Sequence, residues 1–575
     1  MCSSFYANLY TKEGKSLADI PHNSYPRPAL KRDSFFCLNG KWRFEVSVGK
    51  NIPENFKRDI IVPFSPESLL SGIHEVFSED SYLFYKKTFS FPEGFIKDRV
   101  LLHFGAVDQI AEVFFNGAFL GEHIGGYEPF CFDVTEHILK ENVIVVRVRD
   151  NLSQHILPYG KQRRKRGGMW YTPTSGIWQT VWMESTPKTY VRSLDIKTGE
   201  NFAEITAQGI ENQNASITVF TPKGEIKKEL NGGKVKIELD DVKVWSPEDP
   251  YLYRFEISTD SDKIESYFAI RTLEVKTVNG KARLCLNGKP YFFHGLLDQG
   301  YFSDGLLTPA DEKGFERDIL SMKSLGFNML RKHIKIEPQQ FYYDCDRLGM
   351  VVFQDMVNNG HYCFLRDTAL PTVGFKSLGD KHFHKNKESR ERFELDMKKT
   401  VELLKNHPCI CYWTIFNEGW GQFCADSMYD KLKALDGTRF IDSTSGWFWQ
   451  KKSDVKSEHI YFKPYKFAPA DIPTVLSEFG GYSYRPEGHI FNLKKAYGYK
   501  FFEDREEFEK ALLELYRKEV IPAARDGLSA AVYTQVSDVE DETNGLLSYD
   551  REVLKVDADK MQKIAEELKD AVKGE

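Results

Sequence analysis

The sequence predicts a multidomain protein: an N-terminal β-sandwich, an immunoglobulin-like β-sandwich and a C-terminal (β/α)8 TIM barrel. Two observations indicate this fold class. Up to about residue 275 the chain consists of short strands with almost no helical periodicity, whereas from Leu284 onward apolar strands alternate with helical stretches. A chain of 575 residues is also too long for one hydrophobic core. We therefore expect domains at residues 1–187, 188–275 and 276–575.

The first domain contains short strand-forming segments at regular spacing, which is typical of a sandwich. Val100–Phe104, Ala111–Phe115 and Val143–Val148 are rich in β-branched and aromatic residues. The first two lie on either side of a short loop, and Asn116-Gly117 after the second is a strong hairpin signal. Ser175–Trp182 is predicted to form one further alternating strand.

Beyond the first domain, a second small β unit is followed by the strand–helix alternation of a barrel. The strands Ala215–Val219, Val235–Leu239 and Tyr253–Ile257 suit an immunoglobulin-like sandwich in length and number. Eight strands and a final amphipathic helix, Ala558–Val572, predict the barrel. The eight are Phe292–Gly295, Asn328–Arg331, Val351–Asp355, Ile410–Asn417, Phe440–Ser443, His459–Tyr461, Thr474–Ser477 and Ala530–Thr534.

The first barrel helix has a candidate start and an apolar face. Thr308 and Pro309 are a plausible cap and first-turn proline, and the acidic residues that follow suit the positive end of a helix. Four apolar residues then fall on one helical face, which predicts packing against the barrel: Phe315, Ile319, Met322 and Leu325.

Two predicted barrel strands each deliver one glutamate just before glycine residues. An apolar run ends in Asn417-Glu418-Gly419, and sixty residues later a second one ends in Ser477-Glu478-Phe479-Gly480. Because barrel chemistry lies at the C-terminal ends of the strands, we expect Glu418 and Glu478 to face one pocket. Either glutamate alone would be read as a solvated rim residue. Together they form the carboxylate pair that glycoside hydrolysis requires.

The composition excludes several classes of function. A net charge of −6, from 78 basic and 84 acidic residues, gives no reason to expect nucleic acid or an anionic membrane as a partner. The first twenty residues lack the apolar segment of a signal peptide, so we expect a cytoplasmic protein. Nine cysteines without a CxxC pair indicate thiols rather than disulfides or a zinc site. No metal-ligand set stands out, because Asp355 with His361, and His382 with His384, are only loose clusters.

The order of these domains, with Phe-Asn-Glu and Ser-Glu-Phe-Gly in the barrel, resembles glycoside hydrolase family 2, which holds β-galactosidases, β-glucuronidases and β-mannosidases. Shorter marks of the same likeness run along the chain: Leu38–Phe44, Gly176–Gln179, Trp245–Glu248 and Leu286–Pro290. The resemblance implies a jelly-roll, sugar-binding-like first domain, a carbohydrate substrate and a homo-oligomer. It implies no cofactor, although some long β-galactosidases use magnesium, for which the sequence shows no ligands.

The resemblance assigns roles to the residues at the strand ends. Glu418 would be the general acid/base and Glu478 the nucleophile of a retaining exo-β-glycosidase. Asn417 resembles the family's amide that binds the sugar 2-hydroxyl. Tyr461 resembles the tyrosine that hydrogen-bonds the nucleophile, and Arg331 the arginine that orients it.

Further positions match the family less closely. His333 is a rough match, because the family's usual Arg-x-x-His becomes Arg331-Lys332-His333 here. His294 and Asp298 follow the first barrel strand and are candidates for contacts with sugar hydroxyls. Three aromatic residues at or beyond strand ends would either stack on sugar faces or pack in the barrel rim: Trp447, Trp449 and Tyr533.

The sequence favours a β-galactosidase-like enzyme over a β-glucuronidase. The resemblance places the family's Asn-x-Lys, which grips the uronate carboxylate in β-glucuronidases, at Glu542-Thr543-Asn544. An acid at this place repels a uronate. The chain also stops at the barrel, unlike the long β-galactosidases, which leaves a short β-galactosidase-like glycosidase as the leading hypothesis.

A basic loop supports a second hypothesis. The run Lys161–Gly168 contains four candidate carboxylate-binding residues: Arg163, Arg164, Lys165 and Arg166. Such a run is usually a solvated face, but it would also suit a β-uronidase, β-galacturonidase more than β-glucuronidase, with help from Lys332, Lys335 and Arg366. A third hypothesis of another class is a non-catalytic carbohydrate-binding scaffold.

Overall fold

The computed structural model describes residues 6–376 and 378–573. Its first domain is a sandwich of two antiparallel sheets around an apolar core. One sheet has the order Phe36–Cys37, Val181–Thr186, Arg99–Phe104, Phe130–Asp133; the other has the order Arg58–Val62, Gly40–Ser47, Tyr82–Phe89, Asn142–Arg149, Ile110–Phe115, Ala118–Ile124. Val107–Asp108 pairs with Gly176–Ile177 at one end.

Two details of the first domain differ from the sequence prediction. The strands Arg99–Phe104 and Ile110–Phe115 belong to opposite sheets, so the loop between them crosses the sandwich. Ser175–Trp182 is interrupted after Ile177 and contributes to two sheets. The hairpin at Asn116-Gly117 is confirmed, because both residues have the positive φ angles, 50° and 83°, that this turn needs.

The second domain is a smaller sandwich with its own apolar core. Its sheets have the orders Ser193–Thr198, Phe202–Gln208, Lys234–Glu238 and Gly224–Glu229, Ala215–Thr221, Tyr253–Thr259, Lys263–Phe268. A small antiparallel sheet then leads into the third domain: Leu273–Val278, Lys281–Leu286 and Lys289–Pro290.

Eight parallel strands form the barrel of the third domain, and all eight predicted strands are confirmed within a few residues. They are β1 (Phe293–Asp298), β2 (Met329–Lys332), β3 (Val351–Asp355), β4 (Ile410–Asn417), β5 (Phe440–Ser445), β6 (Lys456–Ile460), β7 (Thr474–Gly480) and β8 (Leu528–Thr534). Ladders join them in the order β5-β4-β3-β2-β1-β8-β7-β6, and β5 and β6 lie side by side without pairing. Nearly all their residues are buried, because helices cover the outside of the barrel.

The α-helices are Gly314–Ser324, Gln339–Leu348, Leu370–Thr372, Lys387–Leu404, Ala425–Leu435, Arg505–Leu515, Ile521–Asp526 and Ala558–Val572. The short 3-10 helices are Gly14–Ser16, Pro28–Leu30, Thr135–His137 and Leu152–Gln154. The π-helical turns are Leu365–Ala369 and Tyr516–Val520. One further pair of short strands joins Tyr482–Tyr484 to Lys500–Phe502. No helix in these described ranges combines the length and apolarity needed to cross a membrane.

The start of the first barrel helix differs from the sequence prediction. The helix begins at Gly314 rather than after Thr308. The Thr308 hydroxyl donates to the Trp178 carbonyl of the sandwich domain, so it is not free to cap a helix. The predicted apolar face is confirmed, because Phe315, Ile319 and Met322 are buried.

Segments of the first sandwich reach the C-terminal end of the barrel. The Tyr159 hydroxyl donates to the Gly360 carbonyl at 2.8 Å, and Trp170 stacks on Trp420 with ring centroids 5.0 Å apart. Tyr159 and Trp170 both belong to the hydrophobic core of the barrel. The sandwich loop therefore forms part of the wall around the strand ends.

Candidate active site

Glu418 and Glu478 lie together at the C-terminal end of the barrel. Glu418 follows the last residue of β4, with a φ of 52°, and its N–H donates to the Ser445 carbonyl at 2.9 Å. A left-handed backbone at a glutamate is uncommon, and it turns the side chain away from the strand direction. Glu478 lies within β7. One oxygen of each carboxyl group and one ring nitrogen of His459 all lie within 4.8 Å of one another.

Arg331 holds the nucleophile candidate. From the end of β2 its guanidinium donates to Glu478 Oε1 at 3.1 Å, to Asn417 Oδ1 at 2.8 Å and to Asp355 Oδ1 at 3.0 Å. The Tyr461 hydroxyl donates to the other oxygen of Glu478 at 2.5 Å. Glu478 thus accepts a hydrogen bond on each oxygen, and these bonds stabilise its ionised form.

His459 holds the acid/base candidate through a chain of hydroxyl groups. Its Nδ1 lies 2.8 Å from Glu418 Oε1, and its Nε2 lies 3.1 Å from Ser445 Oγ. Ser445 donates to Ser477 Oγ at 3.0 Å, and Ser477 donates to the Glu458 carbonyl at 3.3 Å. Because Ser445 donates its proton to Ser477, its oxygen accepts a hydrogen bond from Nε2, and Nε2 therefore carries the ring proton. Nδ1 is then unprotonated and accepts a hydrogen bond from the carboxyl group of Glu418.

The protonation states follow from burial and from these contacts. Burial lowers the pKa of His459 to about 3, so the ring is neutral at physiological pH. Burial raises the pKa of Glu418 to about 7, against the opposing effect of Lys161, Arg331 and Lys376. Burial also raises the pKa of Glu478. Because only Glu478 accepts from a guanidinium, the pair keeps its single proton on Glu418.

Asp355 supports the site from β3. Its second oxygen lies 2.8 Å from His333 Nδ1, so the same carboxylate orients both Arg331 and His333. His333 is buried, and burial lowers its pKa to about 3. His333 therefore lies beside the Arg331–Asp355 pair, although its spacing from Arg331 differs from that of the family.

The structure places two of the predicted sugar contacts away from the carboxylates. His294 lies near the start of β1, where its ring nitrogens are within 3.3 Å of the Gly326 carbonyl and 3.2 Å of the Tyr516 hydroxyl. Tyr533 is fully buried, and its hydroxyl accepts from the Tyr482 N–H. Both residues pack in the core. For Tyr533 this corresponds to the second of the two alternatives given above, packing rather than stacking on a sugar.

The other aromatic and polar candidates lie at varying distances from the carboxylates. Trp447 packs edge-on against His459 at 5.7 Å, whereas Trp449 donates its N–H to the Ser457 carbonyl. Asp298 is bound by the Lys332 ammonium at 2.6 Å. Trp447 therefore borders the site, Trp449 packs beside β6, and Asp298 is part of a buried ion pair.

The cations that were expected to help bind a uronate are paired with protein carboxylates. Lys332 and Lys335 are both buried and both contact Glu337, and Arg366 contacts Asp367. Each positive charge is thereby neutralised by its own barrel loop. These three residues are not available at the rim in the way that the uronidase hypothesis assumed.

The basic loop is also partly neutralised. Arg164 pairs with Glu79, and Arg166 pairs with Glu540 and Asp541. Arg163 lies over the Trp170 ring at 4.9 Å, and Lys165 is exposed. Two of the four predicted carboxylate ligands also lie against aromatic rings: Arg163 against Trp170, and Arg166 against Tyr6 and Phe491.

Sequence reasoning missed Tyr499 and Lys376 of the site. Tyr499 stacks on Tyr461 with ring centroids 3.8 Å apart, and Lys376 acts on Glu418 from a barrel loop, as Lys161 of the basic run does from the sandwich loop. Glu542, which the sequence placed opposite a uronate, is buried and accepts from the Tyr171 hydroxyl at 2.5 Å. The aromatic run Tyr497-Gly498-Tyr499 offered a signal for Tyr499 in the sequence.

Two clusters among the described residues bring three potential metal ligands within 4.8 Å of one another. One is Glu418, His459 and Glu478, whose atoms are engaged in the hydrogen bonds above. The other is His489, Asp550 and Glu552, where Lys15 forms an ion pair with Glu552 at 2.5 Å. The atoms of each cluster are thus engaged with protein partners.

Three family models match successive parts of the chain. The sugar binding domain of glycosyl hydrolases family 2 matches residues 69–187, the model described as glycosyl hydrolases family 2 matches residues 185–271, and the family's TIM barrel domain matches residues 277–552. The chain belongs to glycoside hydrolase family 2. The resemblance drawn from the sequence is confirmed.

Curated relatives of this family 2 enzyme include two kinds of glycosidase. A β-galactosidase from Thermoanaerobacter pseudethanolicus is 29% identical over 374 residues, covering 60% of this chain and 46% of that protein. A β-glucuronidase from Felis catus is 24% identical over 486 residues, covering 72% and 69%. The enzyme thus spans less than half of the length of the β-galactosidase.

Solved structures share the fold over almost the whole chain. A β-glucuronidase from an uncultured Clostridium sp. has a TM-score of 0.73 at 18% identity, covering 94% of this chain and 99% of that one. A family 2 β-galacturonidase from Eisenbergiella tayi, bound to galacturonate, has a TM-score of 0.67 at 17% identity, covering 95% and 99%. At these identities the likeness shows the fold alone.

Proposed function

We propose that the enzyme is a retaining exo-β-glycosidase that removes terminal non-reducing sugars. The observation that carries this is the close approach of Glu418 and Glu478, with oxygens within 4.8 Å. Retaining sites hold their carboxyl groups about 5 Å apart, whereas inverting sites need about 6.5–9.5 Å to admit a water molecule. The stacked Trp170 and Trp420 beside Glu418 support a closed pocket, which suits a terminal sugar.

The protonation states suit double displacement. Ionised Glu478 attacks the anomeric carbon as the glycosidic bond breaks, and Glu418 gives its proton to the leaving oxygen. Glu418 then takes a proton from water, which attacks the anomeric carbon and releases Glu478. The amide oxygen of Asn417 is held by Arg331, so its NH2 group remains available to the sugar 2-hydroxyl.

The leading substrate is a neutral β-hexoside, with β-galactosides first. Within the described residues no cation pairs with Glu542, and Arg166 of the basic loop is bound by the preceding acids Glu540 and Asp541. A buried carboxylate in this wall repels a uronate and accepts readily from sugar hydroxyl groups. The β-galactosidase among the relatives agrees with this choice.

A β-uronidase is the second candidate. It is supported by the relatives named β-glucuronidase and by the Lys161 ammonium near Glu418. In this case the sugar carboxylate would turn toward the sandwich loop instead of toward Glu542.

A panel of p-nitrophenyl β-glycosides tests the proposal: galactoside, glucoside, mannoside, glucuronide and galacturonide. We expect the galactoside to be hydrolysed fastest, and Glu478→Gln to abolish turnover of every member. Turnover led by a uronide would promote the second candidate. Full turnover by the Glu478→Gln variant would contradict the assignment of the nucleophile.

The basic loop supplies the second arm of this experiment. A variant with Arg163, Arg164, Lys165 and Arg166 changed to alanine should keep its preference for the galactoside, because two of these cations serve protein carboxylates. Loss of uronide turnover in this variant, with galactoside turnover intact, would assign the loop to a sugar carboxylate.

A further inference from the structure

We propose that the leaving-group side of this site binds an anionic group, a carboxylate or a sulfonate on the aglycone, through Lys161 and Lys376. The inference rests on the proposed glycosidase function and extends it to the group that is released. It depends on two ammonium groups that act on Glu418 and that have no carboxylate partner among the residues the structure describes.

Lys161 stands apart from the other buried lysines. Four lysines are buried in residues 6–376 and 378–573. Lys332, Lys335 and Lys555 each contact a carboxylate within 2.8 Å. Lys161 is only 7% exposed, yet within those ranges its ammonium has neither an ion pair nor a hydrogen bond.

The Lys161 ammonium is held at the site by aromatic rings. It lies 5.1 Å from the centre of the Trp420 ring, two residues after Glu418. Trp420 stacks on Trp170, whose ring also lies 4.9 Å from the Arg163 guanidinium. Cation–π contacts of this kind hold a cation in place but leave its charge uncompensated. A cation without a protein counter-charge is available to pair with the anionic group of a ligand.

Lys376 acts on Glu418 from a barrel loop. Its ammonium lies 5.7 Å from the Trp447 ring, and Trp447 packs on His459, the histidine that holds Glu418. The Lys376 carbonyl accepts from the Phe448 N–H at 2.7 Å, which fixes this loop to the segment after β5. Among the described residues the Lys376 ammonium has no carboxylate partner, and burial lowers its pKa.

Both cations belong to the acid side of the site. Lys161 lies on the Trp420 ring two residues after Glu418, Lys376 lies on the Trp447 ring that packs on His459, and both lower the pKa of Glu418, whereas the cation that contacts Glu478 is Arg331. The group that Glu418 protonates is the oxygen of the leaving group. An anion placed between these two lysines is therefore carried by the aglycone rather than by the sugar that Glu478 attacks.

Three umbelliferyl β-galactosides with one fluorophore test the proposal: the neutral 4-methyl, the 3-carboxy and the 4-sulfomethyl compound. They are compared in the wild type, Lys161→Met, Lys161→Arg and Lys376→Met. Lys398→Met, on the outer face of the barrel, is the control. We expect each methionine variant to lower kcat/KM for an anionic substrate, relative to the neutral one, by about tenfold. Lys161→Arg and the control should keep the wild-type ratio.

The other outcomes separate the possible explanations. If Lys161→Met and Lys376→Met slow all three substrates equally, the lysines only tune Glu418 and the proposal is wrong. If the ratio changes only for the carboxylate or only for the sulfonate, that anion is the one the site accepts. A methionine variant that changes the preference between galacturonide and galactoside, but not between aglycones, would overturn the proposal in favour of a sugar carboxylate. Absence of turnover with every galactoside and uronide would instead contradict the proposed function, and this proposal with it.

Discussion

Glu418 and Glu478 have identical side chains, but their neighbours assign them different tasks. A guanidinium and a phenol donate to Glu478, whereas Glu418 faces the unprotonated Nδ1 of a neutral imidazole, which accepts. Donors stabilise a carboxylate, and an acceptor stabilises a carboxylic acid. The division between nucleophile and acid/base is thus decided by hydrogen-bond polarity around each residue.

Azide rescue of two alanine variants tests this division. In Glu418→Ala we expect turnover of substrates with poor leaving groups to fall by about 10²–10⁴-fold, since their oxygen must be protonated. Azide should restore turnover of an activated aryl glycoside and yield the β-glycosyl azide. In Glu478→Ala azide should instead yield the α-glycosyl azide. The products, identified by NMR, would be exchanged if the two roles were reversed.

Ser445→Ala tests the hydroxyl chain behind His459. Without Ser445, Nε2 loses its acceptor, so the other tautomer can donate from Nδ1 to Glu418. This contact favours ionised Glu418 and lowers a pKa that stands at about 7 in the wild type. Because the acid must be protonated, we expect the alkaline limb of kcat/KM to move to lower pH by about one unit.

The matched control is Ser443→Ala. Ser443 lies on the same strand, and its buried hydroxyl has no hydrogen-bond partner among the described residues. Its pH profile should match that of the wild type. An equal loss of kcat/KM at every pH in Ser445→Ala would show that the chain affects only packing.

At the scale of elements, the basic loop Lys161–Gly168 is a connector as much as a binding surface. The Arg166 guanidinium pairs with Glu540 and Asp541 of the loop after β8, and it lies 4.2 Å from the centre of the Tyr6 ring. Arg164 pairs with Glu79 within the first sandwich. Of these two arginines, Arg166 is therefore the one that links the sandwich to the barrel.

Arg166→Met and Arg164→Met form a matched pair of variants. The Arg166 side chain is 16% exposed and its partner Glu540 is buried, so its removal leaves an uncompensated carboxylate and should destabilise the protein by about 3 kcal/mol. The Arg164 side chain is 35% exposed, so its removal should change stability by about 0–1 kcal/mol. Urea unfolding of both variants measures the difference. Equal effects would contradict a linking role for Arg166.

At the scale of the whole molecule, a carboxyl pair joins the first sandwich to the barrel. Glu128 of the sandwich lies beside Asp396 of the helix Lys387–Leu404, and both are buried. Burial, reinforced by Asp396, raises the pKa of Glu128 to about 8. The folded protein therefore keeps a proton on this pair that the unfolded chain loses near pH 4.5.

This proton makes the interface sensitive to pH. Between about pH 5 and pH 8 the folded state binds more protons than the unfolded state, so stability falls as pH rises. We expect a loss of roughly 3 kcal/mol from this pair, measured by urea unfolding at pH 5.5 and 8.5. Glu128→Gln should remove most of the difference, and the control Glu122→Gln, on the same sandwich, should not. A wild type of equal stability at both pH values would contradict the shared proton.

Much of the fold was determined by local sequence pattern. The eight barrel strands, the hairpin at Asn116-Gly117 and the helix Ala558–Val572 follow from runs of apolar residues, turn chemistry and helical periodicity. The placement of Glu418 and Glu478 at strand ends follows in the same way, since parallel strands bring their C-terminal ends together. These features depend on neighbours in sequence, so the sequence by itself determined them.

The polarity and charge of the site were decided only by the tertiary structure. His459 and Ser445 come from different strands, Lys161 comes from another domain, and the partners of Lys332 and Arg166 lie in separate loops. Whether a lysine is free or paired, and whether an imidazole donates or accepts, depends on atoms within about 3 Å in space. Spacing along the chain does not determine those distances. The sequence therefore predicted one charged patch for the basic loop, whereas its cations make several separate contacts in the structure.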